Sequence, residues 1–440
     1  MNLTFDLPKY GKGICLARMA ALLEALAIDR GKLQERSVAV TGSNGKGSTA
    51  AFCASIAHAY SLRTGLFTSP HLLRINERFQ IDGVPIAGSA ISEFAGRVTT
   101  AIDTISRQCG EQFGAFEAMF ALACLYFQES DCEFMVFEAG IGGRYDPIRL
   151  LSGPVTTVTS VDYEHVELLG HSLELIVSDK SDACTSGGTI VYGENCRPLR
   201  SHILEYNRNR NVESLFVGDD VGIGGETATA SGQNFDFVFG AYEFRALDVA
   251  LSGSFQINNA AIAIALFLRW LDRTQPSESV RIEAAVRKGL RETRWPGRLE
   301  AIAQGPLTVI DVGHTPDGIR QALAGLKQMY GEQDWILVAG VSSDKKVAEI
   351  AGALAPDFDI IICTSAHHKG GDPAVLAEAM RRSNPDARIE IATTIEQAFG
   401  LSQTLAASLK RRIYVAGGLF TAIEFAAVAR GLDAKQLSFF

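Results

Sequence analysis

Residues 36–49 read Arg36-Ser-Val-Ala-Val-Thr-Gly-Ser-Asn-Gly-Lys-Gly-Ser-Thr49. Val38, Ala39 and Val40 make a short apolar run of the kind that forms a buried strand, and Ala50-Ala-Phe-Cys-Ala54 beyond the glycines reads as a helix. A strand, a glycine turn and a helix start together build an anion cradle: backbone N–H groups converge there and the helix dipole adds partial positive charge. Gly42, Gly45 and Gly47 let the backbone approach a phosphate, Lys46 supplies a point charge, and Ser48 or Thr49 offers a hydroxyl to phosphate or magnesium. Gly42 and Lys46 are separated by three residues, fewer than in the general phosphate-loop pattern, and Gly47 stands between the lysine and the hydroxyl. The stretch is read as a nucleotide-phosphate site.

The 440 residues are too many for one core, so two domains are expected. Apolar content of 47% with 21% charged residues is that of an ordinary globular protein. A net charge of −9 and the lack of a long basic tract argue against a nucleic-acid partner. The stretch Met1 to Tyr10 lacks a basic start followed by an apolar core, and no segment is apolar for long enough to cross a bilayer. Eight scattered cysteines without a Cys-x-x-Cys pair predict reduced, mostly buried thiols and a cytoplasmic location.

Outward from the phosphate loop, strands and helices alternate. Helical spacing covers Leu16 to Leu26, Ser89 to Ser106, Ala115 to Gln128 and Leu173 to Ser178. Strands are expected at Arg63 to Thr68, Phe134 to Phe137, Val155 to Val161 and Thr189 to Tyr192. Such alternation implies a mostly parallel sheet covered on both faces. Roughly residues 212–253 read as an antiparallel appendage, with a hairpin over Phe235 to Phe239 and Tyr242 to Phe244, followed by a helix from Asn258 to Trp270. Trp295-Pro296-Gly297 punctuates the chain, giving domains 1–296 and 297–440. The second is a smaller doubly wound unit with strands near Thr308 to Asp311, Trp335 to Gly340, Asp359 to Thr364, Ile389 to Ala392 and Ile413 to Gly417.

Carboxylates at the carboxyl ends of parallel strands face the crevice where such sheets bind ligands. Glu138 stands there, placed either to hold a metal on the phosphates or to pair with Arg144. His165 follows another strand in Asp162-Tyr-Glu-His165, where a structural role competes with metal binding. By spacing alone Lys180, among Asp179, Ser181 and Asp182, is an ordinary solvated lysine. Arg298 and Asp311 flank the domain boundary and could bridge a nucleotide held between the domains.

Taken in order, Val40 to Thr49, Gly65-Leu-Phe-Thr-Ser-Pro-His-Leu72, Asn76-Glu-Arg78, Glu138-Ala-Gly-Ile-Gly-Gly-Arg144, Thr159-Ser160 with His165, Glu167-Leu-Leu-Gly170, Asn259-Ala-Ala261, Pro296-Gly-Arg298 and Asp311 to Pro316 resemble the folylpolyglutamate synthase/dihydrofolate synthase family of the Mur ligase superfamily. The resemblance implies an α/β fold: a P-loop parallel-sheet ATPase domain of Mur ligase type plus a smaller C-terminal Rossmann-like domain. It implies an ATP-dependent ligase that phosphorylates a carboxylate and joins the acyl phosphate to an amine, typically that of an amino acid. ATP would lie on Gly42, Asn44, Gly45, Lys46, Gly47 and Ser48, with Asn259, Arg298 and Asp311. Magnesium, as two ions, would be held by Ser69, Glu138 and His165, and Lys180 would match a carbamylated lysine that helps hold the second. Lys46, His165 and Lys180 would thus serve catalysis, and the partners would be small molecules acting on a monomer.

The chain departs from that family at particular places. Arg144-Tyr-Asp-Pro-Ile-Arg149 replaces Arg-Leu-Asp-Ala-Thr-Asn, Ser181-Asp182 follows the lysine in place of Ala-Gly, and Glu164-His165 replaces Asp-His. Phe255-Gln256 replaces His-Gln, and His314-Thr315-Pro316 replaces His-Asn-Pro. Gly13 stands where an Asp is usual in the pteroate-contacting segment, and Gly114-Ala115 lacks the usual hydroxyl before Phe116-Glu117. The departures gather near the acceptor pocket, so the same chemistry on a non-folate acid is the alternative substrate reading. A catalytically silent nucleotide-binding regulator and a simple kinase are the alternatives from other classes.

Overall fold

A computed structural model describes residues 5, 7–8, 11–13, 15–151, 153–229, 232–274, 279–343 and 345–437. Much of the stretch Met1 to Tyr10 lies outside them. The chain runs α1 (Leu16–Ala25), α2 (Arg30–Glu35), β1 (Ser37–Thr41), α3 (Lys46–Ala59), β2 (Thr64–Phe67), β3 (Phe79–Ile81), β4 (Val84–Pro85), α4 (Gly88–Cys109), α5 (Ala115–Glu129) and β5 (Phe134–Glu138). It continues with β6 (Val155–Val158), α6 (Val166–Leu169), α7 (Leu173–Ser181), β7 (Thr189–Tyr192), α8 (Arg200–Arg208) and β8 (Glu213–Phe216). These strands form one eight-stranded sheet in the order β4-β3-β2-β5-β1-β6-β7-β8, parallel from β2 to β8 with an antiparallel ribbon at the β4 edge.

Strand alternation sorts the core onto two faces. Val38, Val40, Phe134 and Val136 pack with α3 on one side, while Ala39, Met135 and Phe137 pack with α1, α4 and α5 on the other. Both faces of β1 and β5 are covered, so their side chains read as continuous apolar runs.

A three-stranded antiparallel sheet follows: β9 (Val221–Thr229), β10 (Gly232–Phe239) and β11 (Tyr242–Val249). It is narrower than the 212–253 appendage expected from sequence. The short strand β8 pairs in parallel with β7 and belongs to the large sheet. Phe235, Phe237, Phe244 and Leu247 bury one face of this small sheet against α9 (Phe255–Thr274). The α9 helix is sandwiched between that sheet, α3 and the large sheet, which is why it is apolar on nearly every side. The amphipathic α10 (Ser279–Glu292) then packs on α3.

The remaining elements are β12 (Glu300–Gln304), β13 (Leu307–Ile310), α11 (Pro316–Tyr330), β14 (Trp335–Ala339), α12 (Val347–Leu354), β15 (Ile360–Cys363), α13 (Pro373–Ser383), β16 (Arg388–Ile391), α14 (Ile395–Leu409), β17 (Arg412–Ala416) and α15 (Leu419–Ala429). Six strands form a second sheet in the order β12-β13-β17-β14-β15-β16, parallel except for the β12 edge. Helices α11 to α13 cover one face and α14 and α15 the other. All eight cysteines are free thiols, six of them buried. No helix among the described residues is long and apolar enough to cross a membrane.

Candidate active site

The strand order puts the carboxyl ends of β2, β5, β1 and β6 side by side, and the chain switches direction between β1 and β6. A crevice opens where neighbouring loops diverge at such a point. The two loops there are stitched together. Ser43 N–H donates to the Ser160 carbonyl (2.9 Å), Asn44 N–H donates to Ser160 Oγ (2.7 Å), and Thr159 Oγ1 donates to the Asn44 carbonyl (2.6 Å). Gly42 has φ 137°, and a Cβ there would fall 1.9 Å from Thr159 Oγ1. Gly45 has φ 85°, and a Cβ there would fall 2.4 Å from Asn259 Oδ1. Only glycine serves at either position.

Gly45 is the N-cap of α3 and supplies no side-chain cap, so the first N–H groups of a 14-residue helix have no protein side chain to receive them. Lys46 Nζ curls back over the loop, donating to the carbonyls of Gly42 (2.7 Å) and Ser43 (3.1 Å). Thr49 Oγ1 and Asn44 Nδ2 are buried without a hydrogen-bond partner among the described residues. Asn259 is buried beside the loop and donates to Gln256 Oε1 (3.0 Å), leaving Gln256 Nε2 another buried, unpartnered donor.

Glu138 ends β5 at 4% exposure, with Oε2 accepting the Ser69 N–H (2.9 Å). Burial pushes its carboxyl up to about 7, against the opposing pull of Lys46, Arg298 and Arg78. Arg144, its alternative partner by sequence, instead pairs with Asp182 (2.6 Å). Arg78 is buried behind the site and donates to His71 Nδ1 (2.8 Å); burial lowers its guanidinium to about 10.

Lys180 corrects the solvated reading. It is 1% exposed on α7, and Nζ donates to Glu164 Oε1 at 2.6 Å. Burial lowers its ammonium from the ordinary range. Burial opposes ionisation of Glu164 too, but Lys180 and Lys46 hold that carboxyl at about 2. His165 caps α6 with φ 45°, and burial lowers its imidazole, with Glu164 opposing. Asp179 and Asp146 are spent on backbone. Asp179 Oδ1 accepts Gly143 N–H (3.0 Å) and Asp146 Oδ2 accepts Gly140 N–H (2.9 Å), fixing the glycine loop after Glu138.

The second sheet faces this crevice. Asp311 is buried at the end of β13, accepting the N–H groups of Leu299 (3.1 Å) and Gly313 (2.7 Å). Burial raises its carboxyl, and the Arg298 guanidinium opposes the rise. Burial and the nearby cations Lys345 and Arg298 lower His314 to about 4. Thr315 Oγ1 reaches Asn44 Oδ1 directly (3.2 Å). Thr315, Glu164 and Lys345 escaped the sequence reading; only Glu164-His165 and Thr315 carried a signal there, as departures from a motif.

Residues 11–13, 15–18 and 111–117 form the other flank. Arg18 Nε donates to Glu117 Oε1 (2.7 Å), NH2 to Oε2 (3.1 Å), and NH1 to the Lys12 carbonyl; Glu117 Oε2 also accepts Gly114 N–H (2.7 Å). Cys15 Sγ donates to the Tyr145 carbonyl (3.0 Å), and burial pushes its thiol up to about 12.

The donors present suit magnesium on a nucleotide. Among the described residues no three or more His, Cys, Asp or Glu side chains gather as a metal cluster. A hard cation held by one or two protein oxygens together with phosphates needs no such cluster. Glu138, carrying a carboxylate that burial keeps from ionising freely, is a group whose charge a cation would restore.

The family described as Mur ligase, glutamate ligase domain, matches residues 297–419. Folylpolyglutamate synthase from Lacticaseibacillus casei is 32% identical over 363 residues, covering 82% of this chain and 83% of that protein. The solved Mycobacterium tuberculosis folylpolyglutamate synthase complexed with ADP superposes with a TM-score of 0.87 at 25% identity over 96% of each chain. A solved FPGS–AMPPCP–folate complex gives 0.75 at 29% identity, covering 92% of this chain and 97% of that one. Fold and site define an ATP-dependent ligase of the Mur type. The chain belongs to the folylpolyglutamate synthase/dihydrofolate synthase family.

Proposed function

We propose that this ligase joins the carboxylate of a folate or pteroate to the amino group of glutamate, releasing ADP and phosphate. The observation that carries the reading is the convergence on one crevice of the Gly42–Ser48 loop, Glu138 and the Glu164–Lys180 pair, closed from the far side by Thr315. A substrate carboxylate oxygen attacks the γ-phosphorus and ADP leaves; the amine then attacks the acyl carbon and phosphate leaves. Positioning and charge neutralisation supply most of the catalysis in the first step. Closure of the second sheet over the crevice keeps water from the acyl phosphate.

In this reading Gly42, Asn44, Gly45, Lys46, Gly47 and Ser48 bind the ATP phosphates, and Asn259, Arg298 and Asp311 also contact ATP. Ser69, Glu138 and His165 hold magnesium, which neutralises the phosphate charge. Lys180 carries a carbamate that helps hold a second ion. A carbamate beside Glu164 sets two anions together, an arrangement stable only with a cation between them. The units are 1–296 and 297–440, and the protein works as a cytoplasmic monomer on small molecules.

A second reading keeps the reaction and changes the acid. It is favoured by the flank at 11–13, 15–18 and 111–117, where Gly13 and Gly114-Ala115 offer no side-chain donor and Arg18 is paired with Glu117 and the Lys12 carbonyl. Phosphate release measured with dihydropteroate, folates and assorted acids, each with glutamate and other amines, separates the two readings. Turnover with a folate or pteroate supports the first, and turnover with another acid alone replaces it with the second.

A further inference from the structure

Asn44 is tied down on all but one of its polar groups. Its N–H donates to Ser160 Oγ (2.7 Å), and its carbonyl accepts from Thr159 Oγ1 (2.6 Å) and Ser160 Oγ (3.0 Å). Its Oδ1 meets Thr315 Oγ1 at 3.2 Å, 271 residues further along the chain. Only Nδ2 is left, buried and without a partner among the described residues.

Thr315 can supply the donor for this contact. Thr315 is the N-cap of α11, and its Oγ1 accepts the Gly318 N–H at 3.1 Å. A hydroxyl has one hydrogen and two lone pairs. With one lone pair given to Gly318, the hydrogen remains free to donate to Asn44 Oδ1, the atom that faces Thr315. With Oδ1 facing Thr315, Nδ2 is turned away from it and is buried without a partner among the described residues. A buried NH2 without an acceptor is costly. The acceptor that would relieve it is an anionic oxygen in the cradle.

We propose that Thr315 is a positioning residue for the nucleotide. It locks the Asn44 carboxamide so that Nδ2 donates to a triphosphate oxygen, and because Thr315 comes from the second sheet, that donor is set only when the sheet is docked on the loop. The proposal rests on the reading of residues 42–48 as the ATP-phosphate site.

Calorimetric titration of the full chain with a magnesium-bound, non-hydrolysable ATP analogue tests it without requiring turnover. Thr315→Val should weaken binding by about tenfold, the loss of one well-placed hydrogen bond to a charged group, and Thr315→Ser should restore it. In an Asn44→Ala background Thr315→Val should cause no further loss, because the two residues act as one unit. Melting without nucleotide reads the helix cap separately, where Val should lower the midpoint in both backgrounds. Parent-like binding by Thr315→Val, no restoration by Ser, or losses that multiply in the double variant would each overturn the proposal. Failure of the parent itself to bind the analogue would instead overturn the phosphate-loop reading.

Discussion

The two ends of the crevice handle their polar groups in opposite ways. At the nucleotide end, Asn44 Nδ2, Thr49 Oγ1 and Gln256 Nε2 are buried without partners among the described residues, and Gly45 gives α3 no side-chain cap. At the other end, Arg18 bonds Glu117 and the Lys12 carbonyl, and Glu117 also accepts the Gly114 N–H. A buried donor left unmet by protein can be completed by water, an ion or a ligand. The nucleotide end thus keeps donors available to an anion, while on the opposite flank the buried Arg18–Glu117 pair is held within the protein. That contrast explains why the chain's ATP machinery reads clearly and its acid does not.

The largest effect falls at the unmet end. Lys46→Ala should abolish turnover, since Nζ is the cation laid along the loop; near-normal phosphate release would remove the loop from the ATP site. Next is Lys180→Ala, which should cripple activity, with partial recovery on adding short carboxylic acids that replace the carbamate. A variant as active as the parent would exclude Lys180 from the chemistry.

The self-satisfied flank should answer in stability. Arg18→Met strands a buried carboxylate, and breaking such a pair costs about 3–5 kcal/mol, measured by chemical denaturation. Arg18→Met combined with Glu117→Leu should recover much of that loss. If the single variant is as stable as the parent, the contrast between the two ends weakens.

A comparable but pH-dependent effect is expected from Glu138. Its folded carboxyl titrates near 7 against an ordinary value of 4.5, so the folded state binds the proton more tightly than the unfolded state. Its contribution is fully present below pH 4.5 and is lost as pH rises towards 7, about 3 kcal/mol in the metal-free protein. Glu138→Gln should flatten that part of the stability profile, and magnesium with nucleotide should reverse the slope. A parent profile unchanged by the substitution would show that Glu138 is not held as described.

What could be read in the sequence follows from the range of the interactions. The glycine loop, the buried strands and the carboxylate ending β5 are local patterns, and they stand where expected. The short strand β8 was taken for part of the appendage, because four residues with mixed burial carry no periodic signal and only pairing with β7 defines them. The amphipathic α10 and the antiparallel edge β12 were passed over beside the Pro-Gly boundary. Lys180 looked like a surface lysine because acidic neighbours in sequence suggest solvent, whereas the fold buries it against Glu164, 16 residues away. Arg18 and Glu117 lie 99 residues apart and Asn44 and Thr315 271 apart, distances over which one sequence gives no pairing information.

The central claim is that the crevice couples ATP cleavage to amide formation. Inorganic phosphate release by the parent protein, with ATP and magnesium and with acid and amine each omitted in turn, tests it most directly. The account predicts sustained release only when both an acid, such as dihydropteroate or a folate, and glutamate are present, with the amide formed in equal amount to phosphate. ADP formation with a stable phosphorylated product and no free phosphate, or no dependence on acid and amine across a broad panel, would contradict it.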